Sequence, residues 1–280
     1  MIFFPNCKIN IGLFVTGKRK DGFHNIESLF YPIGLCDALE MRINDNAEKT
    51  EFSISGLGVN EGWVHNDDNN SVLKAFYLLK KDFPQIKSVK IHLNKGIPCF
   101  GGLGGGSADA TFCLKLTDFK FNLNLTKEQL IYYASMLGSD NMFFVKNEPS
   151  FVYGRGENME KHSLSLKNYY ILLIKPNVNI STKEAYSNVH ITNEPYNLRN
   201  LRIENITEWK NYVENDFEKG IFEKHPILKQ TKQMLYDMGA LYAQMSGSGA
   251  TVYGIFKEEQ DIGELKKNKD LFVYQEKIKQ

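Results

Sequence analysis

Ile97-Pro-Cys-Phe-Gly-Gly-Leu-Gly-Gly-Gly-Ser-Ala-Asp-Ala110 is the stretch whose reading decides the fold. Five of its residues, Gly101, Gly102, Gly104, Gly105 and Gly106, lack a Cβ, so backbone N–H groups can close around an anion. The residues from Ala110 onward (ATFCLKL) read as a helix running to about Lys115 or Asp118. The loop then sits at a helix N-terminus, where unpaired N–H groups and the macrodipole favour phosphate. The dinucleotide fingerprint GxGxxG fails in both registers, because Ser107 or Asp109 occupies the third glycine position. Gly101 to Gly106 has Walker A spacing, but Ser107-Ala108 follows where a phosphate-gripping lysine is required. Ile97, Pro98 and Leu103 frame the loop with apolar groups, which a flexible linker lacks. It reads as a nucleotide-phosphate cradle of neither common design.

Around the loop, 280 residues are enough for two domains or one large one with a substantial core. A formal net charge of +1 argues against a nucleic-acid-binding surface, and the basic runs at Lys18–Lys20 and Lys266–Lys269 read as solvated faces. Four scattered cysteines, Cys7, Cys36, Cys99 and Cys113, make no CxxC pair, so neither a metal framework nor a disulfide framework is expected. The N-terminus has no basic region ahead of an apolar core, and no stretch is long enough to span a membrane, which together predict a cytoplasmic protein.

Strands are expected at Ile9–Val15, Leu29–Ile33, Leu39–Ile43 and Phe52–Ile54, and at Val89–Leu93, whose strict alternation leads into the loop. Asn70 to Lys81 spaces its apolar residues for an amphipathic helix, and Thr126-Lys-Glu-Gln129 reads as an N-cap with a partial capping box for a helix ending near Leu137. Two strands follow, around Phe143–Val145 and Phe151–Tyr153. The second half opens with a strand at Tyr169–Lys175, a helix at Thr182–Asn188 and a polar connection to about Asn215. A helix at Ile227–Met238 ends at Gly239, a strand–turn–strand spans Leu241–Phe256, and a charged helix precedes a final strand at Leu271–Tyr274. Strands alternate with helices but also follow one another directly, so the class is α+β. A boundary near 155 divides the chain into 1–155 and 156–280.

Three segments together resemble the GHMP small-molecule kinases: Pro98 to Ala110, Lys8-Ile-Asn10, and Met245-Ser-Gly-Ser-Gly-Ala250. Asn6-Cys-Lys-Ile-Asn-Ile-Gly-Leu13 with Asp21-Gly-Phe-His24 is similar to the branch that acts on a cytidine-diphosphate-linked methylerythritol. Gly138-Ser-Asp140 falls where that branch carries its catalytic aspartate. The resemblance implies a two-domain fold, with a ribosomal protein S5 domain 2-like nucleotide-binding N-terminal domain and a ferredoxin-like C-terminal domain on the substrate side, the active site lying in a cleft. It also implies ATP-dependent phosphorylation of a tertiary hydroxyl, the 2-hydroxyl of 4-(cytidine 5'-diphospho)-2-C-methyl-D-erythritol, in non-mevalonate isoprenoid precursor synthesis.

In the roles the resemblance implies, Asp140 is the general base and Lys8 the electrostatic partner that favours an alkoxide-like nucleophile. Pro98, Gly101, Gly102, Leu103, Gly104, Gly105, Gly106, Ser107 and Ala108 hold ATP. Mg²⁺ is expected with ATP, with Ser107 as a candidate ligand. Asn10, Phe23, His24 and Tyr186 face the substrate, His24 bonding the cytosine while Phe23 and Tyr186 stack on its two faces. Phe23 stands where the family usually has tyrosine, and Asn141-Met142 where many relatives have a small or apolar residue and then proline. The expected partners are small molecules, with no nucleic acid or membrane, in a monomer or weak homodimer. Two rival readings carry different sequence marks. A kinase of another small alcohol, such as homoserine or mevalonate, is disfavoured by Asp21–His24, and a non-catalytic nucleotide-binding protein by the presence of both Lys8 and Asp140.

Overall fold

The computed structural model describes residues 1–45, 48–64, 69–187, 189 and 191–279. They pack as two compact units interleaved along the chain. Met1–Cys7, Leu35–Cys99 and Gly104–Asn147 form the first; Lys8–Gly34, Phe100–Leu103 and the residues from Glu148 onward form the second. A single cut at 155 does not describe this packing. The long strand Asn6–Lys18 and its sheet neighbour His24–Cys36 lie in one sheet with Ser150–Gly154, which draws residues 8–34 into the second unit.

In the first unit a four-stranded sheet runs in the order Ile2–Phe3, Ala38–Ile43, Val89–Lys95, Glu51–Gly56. Val89–Lys95 is antiparallel to Ala38–Ile43 and parallel to Glu51–Gly56. Its alternation places Val89, Ile91 and Leu93 in a core with Leu39, Met41, Phe76, Leu79 and Leu114. The helices Ser71–Asp82, Gly105–Phe121 and Lys127–Leu137 supply the rest of that core. Asn70 caps the first by accepting from Val72 N at 2.9 Å. Thr126 and Gln129 complete a reciprocal capping box at the third.

Two expected elements are corrected here. The loop helix starts at Gly105, not Ala110, so two glycines lie inside its first turn, and it runs on to Phe121. Phe143–Val145 is not a strand but part of a helix, Ser139–Lys146. A short apolar run carries no period of its own. What settles it is burial of Phe143 and Phe144 together, with Asn141 anchoring the first turn to the neighbouring helix.

The second unit holds two sheets. One has the order Asn6–Lys18, His24–Cys36, Ser150–Gly154, Asn158–Lys161. The other has Tyr242–Met245, Val252–Phe256, Tyr170–Pro176 and Leu271–Lys277, antiparallel throughout. Numbered by sequence, its strands stand in the order 2-3-1-4 of a βαββαβ unit, the ferredoxin-like arrangement. Pro226 occupies the first turn of Pro226–Asp237, where its missing N–H costs nothing. The connection before Asn215 is less open than its polarity suggests: it winds into 3-10 turns at Leu198–Asn200 and Ile203–Asn211 and buries Trp209 completely. A further helix, Phe217–Lys224, follows it. The helix after Pro176 spans Thr182–Ser187; Asn188, its expected end, lies outside the described residues. The four cysteines form no disulfide, and no described helix is long and apolar enough to cross a membrane.

Candidate active site

Gly104 turns the chain into the loop helix with φ 72° and ψ 17°, a left-handed conformation that glycine adopts without strain. Ala108 N donates to Gly104 O at 2.9 Å, closing the first helical turn. The N–H groups ahead of Ala108 precede the helical ladder and are the ones an anion would meet. Ser71 Oγ donates to Gly106 O at 3.0 Å from the neighbouring helix.

Beneath this turn lies a buried charge triad. Lys95 Nζ donates to Asp109 Oδ2 at 2.6 Å and to Asp37 Oδ2, and all three side chains are at most 5% exposed. The other oxygen of Asp37 accepts from Gly96 N and Ile97 N at 2.6 and 2.7 Å. Burial raises the Asp109 carboxyl above its usual range, with Lys95 opposing the shift. Burial alone would lower the Lys95 ammonium, but the two carboxylates outweigh it and hold the pKa above the ordinary value. Strand, loop and helix are thereby pinned where the glycines begin.

Asp140 is half-buried in the first turn of Ser139–Lys146. Next to it, Asn141 is 3% exposed; its Nδ2 donates to Ser107 O at 3.1 Å and to Thr111 Oγ1 at 3.3 Å. Thr111 Oγ1 in turn donates to Asn141 O at 2.9 Å. These bonds anchor the start of the helix that carries Asp140.

In the second unit Lys8 is 4% exposed, its Nζ donating to Asn10 Oδ1 at 2.5 Å and to Gly102 O at 3.5 Å, 4.3 Å from the centre of the Phe30 ring. Asn10 Nδ2 donates to Ser28 Oγ at 2.9 Å, and Ser28 Oγ to Gly12 O at 2.6 Å. Ser246 Oγ donates to Gly102 O at 2.9 Å and accepts from Asn10 N at 3.2 Å. Gly102 has φ +68°, and a Cβ there would lie 1.9 Å from Ser246 O. The glycine at 102 is thus required twice, by its dihedral and by its neighbour.

Two comparisons bear on this arrangement. The model described as "GHMP kinases N terminal domain" matches residues 70–148, and "GHMP kinases C terminal" matches 197–268. The 4-diphosphocytidyl-2-C-methyl-D-erythritol kinase of Bacteroides thetaiotaomicron is 45% identical over 278 residues, covering 99% of this chain and 100% of the relative. That of Bacteroides fragilis is 47% identical over 263 residues, 94% of each chain. The chain belongs to the GHMP kinases, in the family of these relatives.

Solved GHMP kinases share the fold. A 4-(cytidine 5'-diphospho)-2C-methyl-D-erythritol kinase superposes with a TM-score of 0.76 at 24% identity, covering 98% of both chains. A homoserine kinase from Cytophaga hutchinsonii gives 0.63 at 16%, covering 98% of this chain and 95% of its own.

In this GHMP kinase Lys8, Asn10 and Gly102 come together in the second unit, and Gly104–Ala108 shares the first unit with the helix of Asp140. His24 and Tyr186 also meet. Their rings stack directly, with centroids 4.7 Å apart and planes 19° apart, while Tyr186 takes Phe217 edge-on at 4.8 Å. Phe23 is 57% exposed on the turn after Lys18, with the Arg155 guanidinium 4.7 Å from its ring centre. Asp21 shapes that turn by accepting from Phe23 N at 3.1 Å and pairing with Arg19 at 3.1 Å. Burial, and then the Lys18 charge, lower the His24 pKa, favouring a neutral imidazole that can both donate and accept.

Sequence reasoning missed Ser28, Phe30 and the Asp37–Lys95 pair, whose partners lie well apart from them in the chain. Only the position of Lys95, just before the loop, offered a local signal.

Proposed function

We propose that this chain transfers the γ-phosphoryl group of ATP to the 2-hydroxyl of 4-(cytidine 5'-diphospho)-2-C-methyl-D-erythritol, a step of isoprenoid precursor synthesis. The observation that carries the reading is the buried Lys8–Asn10 pair against Gly102, in a chain whose relatives of that name match it nearly end to end.

An alcohol is a poor nucleophile at neutral pH, so transfer needs proton removal, in-line alignment and stabilisation of phosphoryl charge. Asp140 accepts the hydroxyl proton. Lys8, fixed by Asn10 among carbonyl and amide oxygens, stabilises the developing alkoxide and the transferring group. The N–H groups of Gly105, Gly106 and Ser107, at the positive end of a 17-residue helix, hold ATP phosphates without a Walker lysine. No cluster of three His, Cys, Asp or Glu stands among the described residues, so Mg²⁺ would ride on ATP oxygens and water, with the half-buried Ser107 hydroxyl as a protein ligand. Bound there, it would neutralise phosphate charge. His24, neutral and backed by Tyr186, presents ring nitrogens for a cytosine edge, and Phe23 offers an open ring face.

Coupled ADP release with the cytidine-linked alcohol, homoserine and mevalonate as separate acceptors tests the reading. Turnover with the first alone, abolished by Asp140→Asn, is the expected result. Turnover with another alcohol while the cytidine compound stays inert, or ATP binding with no acceptor used, overturns it.

A further inference from the structure

Asn215 touches none of the residues assigned a chemical role above, yet its side chain commands the turn that does. It is 3% exposed, and its Nδ2 donates to Met245 O and Gly247 O, both at 2.8 Å. Both amide hydrogens are spent on carbonyls that flank a single residue, Ser246. The remaining oxygen, Oδ1, accepts from Phe217 N at 3.0 Å, so the side chain has no alternative orientation. The segment itself is tied down: Leu13 N donates to Glu214 O at 2.8 Å, and Asp216 N to Leu13 O at 2.9 Å. One turn of helix later, Glu218 Oε1 accepts from Met245 N at 2.8 Å, while its Oε2 pairs with Lys232 at 2.6 Å.

Ser246 bridges the two groups on either side of the Lys8 ammonium. Its Oγ donates to Gly102 O, which also receives Lys8 Nζ, and accepts from the backbone N–H of Asn10, whose Oδ1 receives Lys8 Nζ. We propose that Asn215 is a positioning residue: by stapling the carbonyls of Met245 and Gly247 it sets Ser246, and through Ser246 it sets the Gly102 end of the glycine loop and the seat of Lys8. Aspartate is the informative contrast, since it matches the shape and keeps the acceptor for Phe217 N but turns an oxygen toward two carbonyls.

The inference rests on the kinase reading, so its test reads ATP affinity first, which needs no acceptor. Dissociation constants for Mg·ATP are measured by titration calorimetry for the wild type, Asn215→Ala, Ser246→Ala and the double variant, with Tm alongside. Each single change is expected to weaken ATP by about tenfold, and the double by about the same tenfold rather than a hundredfold, because both act through one bond set. Glu218→Gln, which keeps an acceptor for Met245 N, should bind ATP within about twofold of the wild type. Where Asn215→Ala does not fold, Asn215→Asp takes its place in the cycle. Multiplicative effects, or a fall in Tm with ATP affinity unmoved, overturn the proposal. A wild type that binds ATP but phosphorylates no cytidine-linked alcohol defeats the proposed function and leaves this cycle to be judged on its own numbers. With turnover in hand, the same non-additivity is expected in kcat.

Discussion

Lys8 Nζ stands 2.5 Å from Asn10 Oδ1, two residues along the same strand, and Asn10 is held from its other side by Ser28. Alternate residues of a strand share a face, so a lysine and its acceptor are placed together by backbone geometry alone. Asn10→Ala leaves the buried ammonium with weaker anchoring while its charge remains. The expected result is a fall in kcat of about 10- to 100-fold, with ATP affinity changed by less than about threefold. Lys8→Ala should cost at least about 100-fold in kcat with ATP still bound. Loss of ATP binding in the lysine variant would show that Lys8 grips the nucleotide and not the reacting groups.

His24 bears on a different constant. Its stack on Tyr186 orients the imidazole without occupying its ring nitrogens. His24→Ala should therefore raise KM for the cytidine substrate about tenfold or more and that for ATP by less than about twofold. Tyr186→Ala, which removes the backing ring, should act in the same direction more weakly. Equal changes in both Michaelis constants would take His24 out of base recognition.

Lys95 provides a stability test. Lys95→Met leaves Asp37 and Asp109 buried side by side without their cation, a change expected to cost about 3–5 kcal/mol. Adding Asp109→Asn should recover part of that loss, since the second carboxylate is then neutral. Urea denaturation at pH 7 measures both. A loss under about 1 kcal/mol in the single variant would show that water reaches the triad.

What the sequence disclosed and what it hid follow a physical line. The strand Val89–Lys95 and the box at Thr126 were legible because alternation and capping are local, complete within a few residues. The glycine loop was legible because its backbone demands are written in residue type. Phe143–Val145 was misread because three apolar residues fit a strand or a helix equally, and only Asn141 bonding to Ser107 and Thr111 decides between them. The helix Phe217–Lys224 carries Gly220 inside it, which weakened its pattern. Asp37 and Lys95 are 58 residues apart, Asn215 and Met245 30; no spacing rule connects such pairs. The direct contact of His24 with Tyr186 likewise depends on how a strand end meets a helix 162 residues later in number, which no motif records.

Lys115 offers a pH test with a definite sign. Its ammonium is mostly buried, donates to Phe144 O at 2.7 Å and lies 4.9 Å from the centre of the Phe112 ring. Burial first, and then the charge of Lys127, lower its pKa from 10.5 to about 8. Between those values the unfolded chain binds the proton more tightly than the folded one, so this group's contribution makes stability rise with pH across that window and stay flat below it. Lys115→Met removes the contribution and leaves the other alkaline titrations in place. Measured in urea at pH 7, 8, 9 and 10, the stability difference between wild type and variant should move toward the wild type, by roughly 3 kcal/mol at most over the full window. Neutralising the amine weakens its bond to Phe144 O, so the observed gain should fall below that ceiling. A difference that stays flat from pH 7 to 10 would mean that the carbonyl and the ring offset the burial and Lys115 titrates as an ordinary surface lysine.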